Sequence, residues 1–178
     1  MLFRSHLSYF VVCGFLGIIA ATSCHAENLE LPAYRYYEQG HFNLAFERWS
    51  VEARAGSAKS KYNLAVLKEF GIGANKDEAS ALEFYRAAAE QGFAMAQLRM
   101  GFFHLNSDAL ENSYSSAAYW FGLAAKQNNP RAMFRLSQMY AIGKGVDQDL
   151  TKAVELYEKA DGLDCFLGIE SDGFVPSK

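Results

Sequence analysis

The stretch that decides the fold runs from Tyr85 to Gly101 and reads YRAAAEQGFAMAQLRMG. An alanine-rich helix end meets a stop at Gly92, and a second helix starts just beyond it. The stretch recurs up and down the chain. Gly56, Gly92 and Asn128 are 36 residues apart at each step, and Ala45, Ala81, Ala117 and Ala153 hold the same step. So do the aromatic residues Trp49, Tyr85, Phe121 and Tyr157, then Leu64, Met100 and Leu136, and Leu67, Phe103 and Met139. The copies align without insertion or deletion, and a period of this length marks an array of repeats.

Each period divides into two helices, A and B. Helix A of the first full repeat starts near Ala58 with Ser57 as its N-cap. In the third repeat Asn129 caps, with Pro130 at the first helical position. Gly71 and Gly143 suit the left-handed residue that stops a helix. Helix B is capped by Asp77, Ser113 or Asp149, whose side-chain oxygens take up free backbone N–H groups. It ends at Gly56, Gly92 or Asn128, residues that tolerate positive φ. The small alanines of helix B let two helices approach closely, and the aromatic residue four positions on fills the space beside that contact. A helix pair of this size cannot bury its own apolar stripe, but stacking on the next pair can, so an all-α solenoid is expected. The expected organisation is a leader at 1–26 and a solenoid over 27–164. The solenoid comprises a partial pair at 29–56 and repeats at 57–92, 93–128 and 129–164, and a tail follows at 165–178.

The leader is read from an uncharged run between Tyr9 and Ala21 behind Arg4 and His6. The run is too short for a membrane-spanning helix, which needs about 20 residues. It ends in Ser23-Cys24-His25-Ala26, a small-x-small pattern that predicts a secretory signal peptide cleaved before Glu27 and a periplasmic or secreted protein. Ala21-Thr22-Ser23-Cys24 also resembles a lipobox, which would make Cys24 a lipid anchor and the protein an outer-membrane lipoprotein. Only with that lipid is a membrane partner expected. Cleavage after Ala26 leaves Cys165 as the lone cysteine, so no disulfide within one chain is expected.

Of the 178 residues, 51% are hydrophobic and 21% charged, as in folded soluble chains, and the formal net charge is -3. With no basic excess to hold a phosphate backbone, nucleic acid is not an expected partner. Gly71-Ile72-Gly73 and Gly143-Lys144-Gly145 follow helices and recur with the period, so they read as turns rather than phosphate loops. His41 and His104 have no neighbouring ligand at metal spacing, and no G-x-S-x-G elbow occurs. The expectation is no metal, no cofactor and no catalytic residue.

The segments AVLKEFGIGANKDEASALEFYRAAAEQG and SQMYAIGKGVDQDLTKAVELYEKAD resemble the SEL-like repeat family, a relative of the tetratricopeptide repeats. The third repeat keeps Tyr140, Gly143, Gly145, Val146, Asp149, Lys152, Ala153, Tyr157, Lys159 and Ala160 of that family's pattern. The resemblance implies a right-handed α/α solenoid of antiparallel helix pairs that acts as a scaffold of the bacterial cell envelope and binds protein partners. The second repeat departs from the pattern. Ser107 and Ala109 replace the glycine pair, so its A–B loop must turn differently, with an extended helix A as one way to do so. Some cysteine-rich members of the family are discussed as β-lactam-binding or hydrolysing proteins. Their helix pairs are bridged by disulfides, which Cys165 alone cannot reproduce. A hydrolase of that kind, or a lipid-anchored structural scaffold, is the alternative function.

In tetratricopeptide-like solenoids the A helices line the concave wall. On the repeat register the wall positions are Asn63, Arg99 and Arg135, then Val66, Phe102 and Gln138, then Phe70, Asn106 and Ile142. Residues three or four apart share a helix face, and residues one repeat apart stack into a strip. Arginine and aromatic residues are the usual anchors of protein recognition, so this strip is the candidate site for a protein or peptide partner. Two arrangements remain open. Either Phe70 and Phe102 face the groove beside the arginines, or both tuck into the core and leave Arg99 and Arg135 solvated.

Overall fold

The computed structural model describes residues 32–106 and 113–167, with side chains described as far as Leu163. The expected leader, Cys24, the 107–112 loop, the Cys165 side chain and the tail from Gly168 lie outside the described residues. Helix α1 spans Ala33–Glu38, α2 Phe42–Arg54, α3 Ala58–Phe70, α4 Glu78–Glu90, α5 Ala94–Leu105, α6 Ser113–Lys126, α7 Pro130–Ile142 and α8 Leu150–Leu167. No strand occurs among the described residues, and no helix among them is long and apolar enough to cross a membrane. Each helix packs on its neighbours in sequence, which gives a stack of helix pairs.

The ends of the helices follow from local chemistry. Ser57 Oγ accepts from the Ser60 N–H, Asp77 Oδ1 from the Ser80 N–H, Asn129 Oδ1 from the Ala132 N–H, and Asp149 Oδ1 from the Lys152 N–H. Each oxygen satisfies an N–H that a helix start leaves without a partner. Gly71 and Gly143 close α3 and α7 at φ 68°, and Asn128 closes α6 at φ 60°. Helix α5 ends at Leu105 with Asn106 in a right-handed conformation, so helix A of the second repeat is not extended. Its C-cap N–H is taken by its own last turn, on Phe102 and His104, without the left-handed residue used in the other two repeats.

The core forms between helices rather than within them. Ala45, Trp49, Leu64 and Leu67 meet in the first layer. Val66, Ala81, Tyr85 and Met100 meet in the second, and Leu98, Ala117, Phe121, Met133 and Leu136 in the third. The alanine column is buried throughout, at 0% exposure for Ala45 and Ala117 and 2% for Ala81. A leucine at these positions overfills a dense contact. Ala81→Leu and Ala117→Leu should each lower stability by about 1–3 kcal/mol. Equilibrium unfolding in urea checks this, and unchanged midpoints for both variants would refute the packing.

Two features tie one repeat to the next. Gln127 Nε2 donates to the Gly92 carbonyl at 2.9 Å and to Gln97 Oε1 at 2.8 Å, and Gln97 donates in turn to the Ala89 carbonyl. One repeat earlier, Gln91 makes the same latch once its amide is turned so that both ends are satisfied, with the nitrogen donating to the Gly56 carbonyl at 3.0 Å and the oxygen accepting from Lys61 Nζ at 2.5 Å. The second glycine of each G-x-G turn lies against the first residues of the preceding B helix. A Cβ on Gly73 would come within 2.6 Å of the Phe42 carbonyl, and one on Gly145 would collide with the Tyr114 carbonyl.

Candidate functional site

Two grooves open on the A-helix face, one repeat apart. The first, about 640 Å³, lies between α3 and α5 over α4. Phe70 and Phe103 stand at its rim, 49% and 39% exposed. Tyr85 and Met100 form its floor, and Glu69, Arg99 and Asn106 also face it. The second, about 230 Å³, lies between α5 and α7 over α6, with Arg135, Gln138, Ile142, Tyr114 and Lys144 around Phe121. Phe121 occupies the place of Tyr85, and Arg135 that of Arg99, so the repeat builds the same groove twice with different side chains.

Polar groups in the first groove are already engaged. The Tyr85 hydroxyl donates to Glu69 Oε2 at 2.5 Å. Burial and that carboxylate push the Tyr85 phenol well above its ordinary value, so it stays a donor at any physiological pH. Burial works against the charge of Arg99. The phenol oxygens of Tyr85 and Tyr62 and the Glu69 carboxylate outweigh it and hold the guanidinium above its ordinary value. Lys76 and Glu78 pair at 2.7 Å at the mouth.

The strip expected from the register is placed unevenly. Phe70, Arg99, Phe102 and Asn106 line the first groove, and Arg135, Gln138 and Ile142 line the second. Asn63 is half-buried and lines neither. Val66 must be removed from the strip. It is 0% exposed and packs in the core with Tyr62, Ala81 and Tyr85, because the rotation of α3 turns it inward. Phe102 is half-buried and does two jobs. Its ring meets Phe121 edge-on at 5.3 Å, and Arg135 stacks over it, with the guanidinium 5.3 Å from the centroid. It is the wall between the two grooves. The open alternatives therefore divide, with Phe70 on the rim and Phe102 partly in the core. Phe103, Glu69 and Lys144 belong to the grooves and were not among the expected wall positions. Phe103 shares a column with Leu67 and Met139, both buried, so the register alone marks it as core.

His104 sits just past the wall. Burial, with a smaller contribution from the Arg86 guanidinium, holds its imidazole below the ordinary value of 6.5, and its Nδ1 has no hydrogen-bond partner. The unfolded chain therefore takes up this proton more readily than the folded one. Its effect on stability is absent well above 6.5, and stability falls as pH drops below that value. In melts between pH 7.5 and 5, His104→Gln should lose less stability than the parent; equal losses would show that His104 does not carry the effect.

Among the described residues no group of three or more His, Cys, Asp or Glu could hold a metal ion. What the fold defines is a repeat solenoid whose A helices present grooves lined with aromatic side chains and arginines. The Sel1 repeat family model matches residues 58–93, 94–129 and 130–160, and the chain belongs to this family. Protein sel-1 homolog 2 of Rattus norvegicus is 32% identical over 135 residues, 73% of this chain but 20% of that protein. The chain thus spans about a fifth of the length of that relative and of its counterparts in Mus musculus and Homo sapiens. A Sel1 repeat protein from Oxalobacter formigenes superposes with a TM-score of 0.70 at 32% identity, covering 81% of this chain and 42% of that one. A protective antigen of uropathogenic Escherichia coli with the same repeat fold gives 0.68 at 27%, covering 84% and 32%. Similar proteins also include regulators. Chitin synthase regulatory factor 3 of Schizosaccharomyces pombe is 30% identical over 65% of this chain and 13% of its own length. An exopolysaccharide production negative regulator of Rhizobium leguminosarum is 26% identical over 63% and 47%. Membership in a family with such regulators fits a protein-interaction scaffold.

Proposed function

We propose that this protein is an exported scaffold or adaptor of the bacterial cell envelope that holds a protein or peptide partner in the grooves of its A-helix face. The observation that carries the reading is the pair of register-equivalent grooves with Phe70 and Phe103 left exposed at the rim of the larger one. Aromatic residues beside arginine are the usual anchors of recognition, and here two of them flank a groove that also holds Arg99. The regulators among its relatives support the same class of role. Export is supported by the uncharged run from Tyr9 to Ala21 and the small residues up to Ala26.

The test places a photo-crosslinking side chain at position 103 or 70, and at the exposed Glu83 of α4 as control, in cells that make the protein. Adducts from 103 and 70 and none from 83 support the grooves, while adducts from 83 alone move the binding face to the B helices. Mass spectrometry of the same material reads the N-terminus: Glu27 fits simple export, and an acylated Cys24 replaces it with a lipid-anchored form.

A further inference from the structure

The two grooves differ in charge, and the difference specifies a ligand. The α3–α5 groove holds both signs of charge: Arg99 and Glu69 line it together, and Lys76 pairs with Glu78 at 2.7 Å. What that groove offers beyond them is apolar, in Phe70, Phe103, Leu82 and Met100. Among the described residues, the lining of the α5–α7 groove holds Arg135 and Lys144 and no carboxylate. Arg135 Nη1 donates to the neutral amide of Gln138 at 3.1 Å, and Lys144 Nζ stands 3.9 Å over the Tyr114 ring. Both cations thus rest on neutral partners in a chain whose net charge is -3, so the groove is basic against the balance of the whole protein. Phe102 joins the grooves, lining the first while carrying Arg135 of the second on its face.

The two grooves lie one repeat apart on either side of Phe102, and an extended chain advances about 3.3 Å per residue, so a segment of a few residues spans both. We propose, resting on the scaffold reading above, that the grooves together read an extended peptide segment with a bulky apolar side chain and a carboxylate a few positions away. The apolar side chain enters beside Phe70 and Phe103, and the carboxylate meets Arg135 and Lys144. Arginine suits this task because its fork matches a carboxylate with two parallel hydrogen bonds.

The experiment selects a random peptide library on the full-length protein, then measures the best synthetic peptide by fluorescence anisotropy at two salt concentrations. Selected peptides should carry an aspartate or glutamate at a fixed spacing of a few residues from a Leu, Ile, Met or aromatic residue. Changing that acid to its amide should weaken binding about tenfold and flatten the salt dependence. Against Arg135→Gln, and against the exposed-loop variant Lys144→Gln, the acid and amide peptides should bind alike. Selected peptides without the acid, or variants that lose both peptides equally, overturn this inference and leave the scaffold reading in place. Selected peptides that fail to block crosslinking from position 103, or a library that yields none, overturn both.

Discussion

Alanine at Gly145 should lower folding stability by about 2–4 kcal/mol and the melting temperature by roughly 10 °C. Two costs combine there. Gly145 adopts φ 77°, a left-handed conformation that strains any residue with a Cβ. The Cβ would also run into the Tyr114 carbonyl at the start of α6, and a backbone group at a helix start cannot swing aside as a flexible side chain can. The loop must lift off α6, which loosens the contact between the second and third repeats. Gly122→Ala supplies the opposite sign. That glycine lies inside α6, and its Cβ would meet nothing within 4 Å, so the change should stabilise by about 0.5–1 kcal/mol through helix propensity alone. Calorimetric melts of both variants check the pair. A Gly145→Ala protein that melts with the parent would show that the turn does not rest on α6.

What the sequence made legible was local. A cap needs a side-chain oxygen three residues before the N–H it accepts from, and Ser57, Asp77, Asn129 and Asp149 provide one at the starts of α3, α4, α7 and α8, whereas Ser113, expected as a cap, is itself the first residue of α6. The left-handed helix stops are equally local, and Asn128, the one non-glycine among those described, takes the conformation its place in the period predicts. The second glycine of each turn was visible as a repeat position, but its reason was not, because the group it must avoid lies on the previous B helix, 31 residues earlier. The glutamine latch left a trace in the spacing of Gln91 and Gln127, but no local rule gives an exposed amide a carbonyl one repeat away.

The candidate site was legible only in outline. Successive residues on a helix turn by about 100°, so a small rotation of α3 decides whether Val66 or Phe70 faces the groove, and the packing of Tyr62 and Val66 against α4 sets that rotation. Phe103 shows the same limit from the other side. Its column is buried in the first and third repeats, yet it stands half in solvent at the rim of the larger groove. Charge balance was out of reach as well, since Arg99 and Glu69 come from different helices and Lys144 from a turn.

The second large effect is on binding. Phe70 and Phe103 stand half-exposed at the rim of the groove, and removing both should cost at least about 2 kcal/mol of partner affinity, roughly thirtyfold. Their exposure means that stability should change by about 0.5 kcal/mol or less for each. Phe102→Ala is the contrast. Its ring supports Phe121, which is 0% exposed, so this variant should lose about 2 kcal/mol of stability along with any loss of binding. The deciding measurement is the affinity of the partner segment recovered by crosslinking for the Phe70→Ala/Phe103→Ala double variant, beside Glu83→Ala, with melting curves for each. The groove account predicts parental melting for both, parental affinity for Glu83→Ala and a loss of thirtyfold or more for the double variant; full affinity in a well-folded double variant would contradict it.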